Sequence, residues 1–185
     1  MRDCEREHTL SGDRWKPMVN DIQPGEQTDR LSLPWDLSEW VDKDLLVRWI
    51  AEEIQTLDWA NPELVEHLAA HPNYHPKMML SVVTYGYATG VFESEEIVRA
   101  CYGDPVFRAI CIEAVPTAKT IARFRRDNRG LFKWSLAQVF RRALKAKFSL
   151  GGDVLLPVGL RRYLVDAAIA RIDLARHMDR SVEGA

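Results

Sequence analysis

The chain has 185 residues, 46% of them apolar, which is enough for one domain with its own core and a tail. No run approaches the roughly 18 apolar residues needed to cross a bilayer, and the opening MRDCEREHTLSGDRWK is charged throughout, so the expectation is a soluble cytoplasmic protein with no membrane partner. The net charge of −2 hides an asymmetry, because residues 119–147 carry +9, residues 1–118 carry −11 and residues 148–185 balance to zero.

Residues 1–32 are polar, hold Pro17, Pro24 and Gly25 and keep no period, so they read as a flexible arm. From Asp42 to Leu57, Leu45, Leu46, Trp49, Ile50, Ile54 and Leu57 recur at helical spacing, with Trp35, Trp40, Trp49 and Trp59 as anchors of that helix. Asn61 with Pro62 starts a second helix running to about Ala70. HPNYHP breaks the chain, and the apolar stretch 77–89, KMMLSVVTYGYAT, between Pro76 and Gly90, reads as a buried helix. Ser94 with Glu95 and Glu96 starts a short helix to about Tyr102, and Asp104-Pro105 starts another over 104–112. Thr117 caps a helix to about Arg126. The apolar side of 131–148 makes a further helix that Gly151-Gly152 ends, and a last helix runs from about Val158 to Met178. Strand signals are nearly absent, so the fold class is all-α. The domains are an arm over 1–32, a helical domain over 33–150 and a C-terminal segment over 151–185 that packs on the domain or on a partner.

The basic helix poses the functional question. Lys119, Arg123 and Arg126 lie at i, i+4 and i+7 and so share a face, while Ala118, Ile121, Ala122 and Phe124 face inward. Arginine forks onto guanine edges or phosphates, and Thr120 adds a hydroxyl near the free N–H groups of the first turn. Two short helices followed by a basic one is the layout of helix-turn-helix binders. In the next helix, Lys133, Arg141, Arg142 and Lys145 suit backbone phosphates, as do Arg125 and Arg129 before them. A solvated charged face is the plainer reading of either helix.

Other chemistry is poorly supported. His67, His71 and His75 are spaced by four, but Pro72 and Pro76 interrupt any single ladder, and no metal site or cofactor is expected. Cys4, Cys101 and Cys111 lack CxxC spacing and suggest neither a disulfide framework nor a zinc knuckle. Nucleophile motifs, phosphate loops and paired catalytic carboxylates are missing.

The stretch YHPKMMLSVVTYGYATGVFESEEIVRACYGDPVFRAI (74–110), followed by TAKTIARFRR (117–126), resembles the N-terminal helical domain of bacterial insertion-sequence transposases of the DDE type. The matching motifs are Tyr74-His75-Pro76, Tyr85-Gly86-Tyr87, Gly90, Ser94, Phe107-Arg108 and Thr120 to Arg126, and LPWDLSEWVDKDLLVRWIAEEIQTLDW (33–59) looks like the family's entry segment. The likeness spans roughly residues 33–130. It implies an all-helical domain that binds double-stranded DNA at the ends of an element, followed by a catalytic domain with three carboxylates. PTAK stands where the family has His-Ser or Pro-Asp-His, and the 55 residues after Gly130 read as helices. No catalytic carboxylate is therefore carried over. The expectation is a non-catalytic, nucleoid-associated DNA binder. The alternative is an interaction module that pairs with itself or with an intact transposase, using the apolar side of the last helix.

Overall fold

A computed structural model of the chain describes residues 32–61, 74–111 and 114–183, with side chains up to Asp179. The arm expected over 1–32 lies, except for Ser32, outside the described residues, as do the helix expected over 62–70 and both His67 and His71.

Among the described residues there are seven α-helices and no strand, only a single antiparallel bridge between Asp36 and Thr89. A 3-10 turn, Leu37–Glu39, precedes α1 (Lys43–Gln55). Asp42 caps α1 by accepting from the amides of Asp44 at 2.9 Å and Leu45 at 3.4 Å. α2 (Pro76–Ala88) begins with proline at its first position, where the missing N–H costs no bond, and His75 Nδ1 accepts from the Lys77 amide. α3 (Ser94–Gly103) and α4 (Pro105–Ile110) meet at Asp104, which ends one and caps the other. α5 (Ala118–Asp127) is capped by the Thr117 hydroxyl, which accepts from the Thr120 amide at 3.2 Å. α6 (Arg129–Lys147) and α7 (Val158–Glu183) complete the order.

α2 is the axis of the fold. Met79, Leu80 and every residue from Val82 to Ala88 are buried, so it is covered on all sides rather than along one stripe. α1, α4, α5 and α6 pack around it. Leu46, Ile50 and Ile54 of α1 supply one wall and Phe132, Leu136, Val139 and Phe140 of α6 another. Tyr85 stacks edge-on against Phe107 at 4.9 Å, and Phe124 against Phe132 at 5.9 Å. One polar pair is admitted to this core: the Thr84 and Ser135 hydroxyls bond at 3.1 Å, so neither is left unsatisfied.

Two helix ends fall within a residue of the sequence expectation. α3 starts at Ser94 as expected, with Glu93 as its N-cap residue, and the Ser94 hydroxyl donates to Asp179 at 2.9 Å. α6 ends at Lys147, one residue from the expected 148, as Ser149 takes a left-handed φ of 51° and the Leu150 amide bonds back to the Lys145 carbonyl.

Gly86 is where the core leaves no room for a side chain. A Cβ there would lie 3.0 Å from the Val91 carbonyl oxygen and 3.3 Å from the Ile97 side chain. The Val91 amide already bonds the Gly86 carbonyl at 2.8 Å, so the loop cannot retreat without losing that bond. Gly86→Ala is expected to destabilise the fold by about 1–3 kcal/mol through overpacking, read as a lower urea midpoint at unchanged slope.

Candidate nucleic-acid interface

α5 is oriented by its inner stripe. Ile121, Phe124, Arg125 and Asn128 are buried at i, i+3, i+4 and i+7, and the helix packs on α2, α3, α6 and α7. That phase turns Lys119, Arg123 and Arg126 outward together. The Arg123 and Arg126 side chains are 61% and 71% exposed, and Lys119 is exposed as well. Asp127 stands 3.7 Å from Arg123 and 3.8 Å from Arg126, so it offsets part of the charge of this face. Thr120, half-buried, shares a 2.8 Å bond with the Thr117 hydroxyl at the cap.

Arg125, expected on a phosphate, belongs to the core. Its side chain is 6% exposed and pairs with Asp179. Nη1 donates to the Phe92 carbonyl at 2.7 Å and Nη2 to the Ala175 carbonyl at 2.9 Å, with the Tyr87 hydroxyl at 3.4 Å. Asp179 also accepts from the Ser94 amide at 3.0 Å. Position 125 falls on the apolar stripe, and there a guanidinium survives only with its donors matched.

The remaining basic residues divide into two groups. Arg129 is half-exposed and bonds Asp173 at 2.7 Å; that bond holds the guanidinium above its ordinary pKa and the Asp173 carboxyl below its own. Lys133, one turn further, is exposed. Arg126, Arg129 and Arg176, with Ala122 and Ile172, line a cleft of about 230 Å³ between α5 and α7, floored by Arg125 and Asp179. Arg176 is a residue the sequence reading missed. The second group lies about 20 Å along α6. Arg142 pairs with Glu52 and, at 2.6 Å, with the buried Glu53 of α1. Lys145 donates to the Gly152 carbonyl, and Arg141 is exposed. Arg142 and Lys145 are therefore engaged in holding α1 and the α6–α7 connection.

Among the described residues no group of three His, Cys, Asp or Glu side chains is placed to hold a metal ion, and no helix is long and apolar enough to cross a membrane. His75 serves as a cap.

The core role of Arg125 is measurable. Arg125→Ala removes the charge partner of Asp179, which keeps only its two bonds from Ser94, and is expected to lower stability by about 3–5 kcal/mol. In a double-mutant cycle with Asp179→Ala, the two losses should fall short of additivity by about 1 kcal/mol or more. Unchanged unfolding of Arg125→Ala would refute this placement.

No significant match was found among curated proteins or solved structures. A family model described as "Transposase domain (DUF772)" matches residues 35–127, from the turn before α1 to the end of α5. That is half of the 185 residues, and the chain belongs to this transposase-domain family.

Proposed function

We propose that the chain binds duplex DNA through α5 without cutting it. The observation that carries this reading is the outward face of Lys119, Arg123 and Arg126, held rigidly by the buried stripe behind it within the transposase domain. In this reading α5 lies in the major groove as the recognition helix of a helix-turn-helix-like unit formed with α3 and α4. Arginine there reads guanine edges bidentately. Arg126, Arg129 and Arg176 around the α5–α7 cleft, with Lys133 beyond them, take backbone phosphates. Arg141 extends the track, whereas Arg142 and Lys145 contribute mainly through the field they share with it. The +9 segment supports binding despite the net charge of −2, since affinity depends on charge near the phosphates rather than on the whole-chain sum.

Electrophoretic shifts of a random-sequence duplex and of candidate element ends test this. Affinity for either is expected to fall by roughly two orders of magnitude between about 50 and about 200 mM salt. Arg176→Ala should reduce the salt slope by about 1 on every duplex, whereas Arg123→Ala should narrow the difference between sequences. Asp173→Asn, which releases Arg129, should tighten binding. A folded chain that shifts no duplex at low salt would end the proposal.

A second reading, self-association, has its own observation. Phe148, Leu150, Val154, Leu155 and Val158, around the α6–α7 connection, are exposed large apolar residues, with Leu155 88% and Val158 73% exposed. On this reading they meet a second copy of the chain. Light scattering should then give a dimer mass that Leu155→Ser returns to the monomer; a wild-type monomer at high concentration would count against it.

A further inference from the structure

Cys101 and Cys111 come from different helices, yet their sulfurs lie 3.4 Å apart. Cys101 sits in the last turns of α3 and Cys111 is the C-cap residue of α4. Asp104 at the α3–α4 junction fixes the angle that brings them together, and the Cys111 amide is bonded to the Phe107 carbonyl at 3.0 Å. Both are buried, 2% and 5% exposed. A disulfide needs an S–S distance of about 2.05 Å, so closure of about 1.4 Å separates the pair from one.

The pair is close to a way in. A cleft of about 540 Å³ opens between α1, α2 and α4, lined by Val47, Ile50, Met78, Val106 and Ile110 among others. Met78 forms part of its wall, and its sulfur is 3.9 Å from Cys111 Sγ. A flexible thioether is therefore the barrier between the cleft and the thiols.

We propose that Cys101 and Cys111 are a dithiol–disulfide pair, oxidised by hydrogen peroxide that enters from the cleft past Met78. Cys111 is the attacking sulfur. It is the sulfur next to Met78 and so nearer the cleft, and its hydrogen bond with the Cys101 sulfur favours its thiolate. The Cys111 thiolate displaces hydroxide from the peroxide and becomes a sulfenic acid. The Cys101 sulfur then attacks the Cys111 sulfur, its proton leaves with the departing hydroxide as water, and the disulfide forms. Together the two thiols lose two electrons and two protons, and one peroxide becomes two waters. The bond joins α4 to α3, on which α5 packs.

The test uses the full chain carrying Cys4→Ser, which removes the third cysteine, treated with peroxide and mapped by non-reducing peptide mass spectrometry. The expected product is a Cys101–Cys111 peptide pair in monomeric protein. Its thermal midpoint should lie roughly 5–10 °C above that of the same protein in reductant, a comparison that needs no cysteine-pair variant to fold. Cys101→Ser should stop the reaction at a sulfenic acid on Cys111 that dimedone traps, and Met78→Ala should speed cross-linking several-fold. Cross-linking only in denaturant, sulfinic acid on Cys111 without a link, or oxidation of Met78 alone would overturn the proposal. So would a soft metal ion such as copper recovered with the purified chain and shielding both thiols, which would assign the three sulfurs to a metal instead.

Discussion

The buried guanidinium of Arg125 is the interaction on which the rest of the structure depends. Taking a charge out of water costs several kcal/mol, and the cost is offset only where carboxylate and carbonyl acceptors meet every donor face. Here those acceptors come from widely separated parts of the chain: Phe92 in the α2–α3 connection, and Ala175 and Asp179 in α7. Asp179 in turn takes two bonds from Ser94 at the start of α3. One side chain thus fixes α5 against α3 and α7 together. It also fixes the rotation of α5 about its own axis, because a helix with Arg125 inward has Lys119, Arg123 and Arg126 outward. The orientation of the basic face follows from what the opposite face must satisfy.

Basic residues that look alike in sequence are divided by this constraint into structural and available ones. Arg171 is a second core guanidinium, lying 4.4 Å over the Phe140 ring and donating to the Pro34 carbonyl, with burial lowering its pKa to about 10. Arg142 is tied to Glu52 and Glu53, which ties α6 to α1. The charge left for a polyanion is concentrated at the α5 face and the α5–α7 cleft, and tapers along α6. Two acids, Asp127 and Asp173, stand at the edge of that region and keep its arginines ordered. A phosphate arriving there competes with carboxylates rather than with water, which favours multiple contacts over any single strong one.

Much of the fold was legible locally. Thr117 caps α5 and Asp104-Pro105 opens α4 as their residue types said they would, and the periodic stretch from Asp42 and the apolar stretch after Pro76 are both helices. The misreadings share a cause. Nothing near Ser94 reveals Asp179, its hydrogen-bond partner 85 residues away. Arg125 was grouped with its neighbours in RFRR by composition, although its place four residues after Ile121 already put it on the apolar stripe. Arg176 joins the cleft only through the packing of α7, and the Cys101–Cys111 contact arises from the angle at Asp104. Residue-type patterns report which groups are present and how they repeat, not which distant element they meet.

The limits of the family match sharpen that lesson. The matched residues end at 127, with α5, yet the packing unit does not. Thr84 of α2 completes its hydrogen bonding on Ser135, Tyr87 and Phe124 close on Phe132, and Arg125 is neutralised by α7. Without α6 and α7, the largely apolar α2 would face water along one side, and the guanidinium that sets the phase of α5 would lose its carboxylate and one of its carbonyl partners. The helices beyond the family domain are therefore what makes its basic face a fixed surface. In this chain, the part that would touch DNA and the part that keeps it in position are different stretches of sequence.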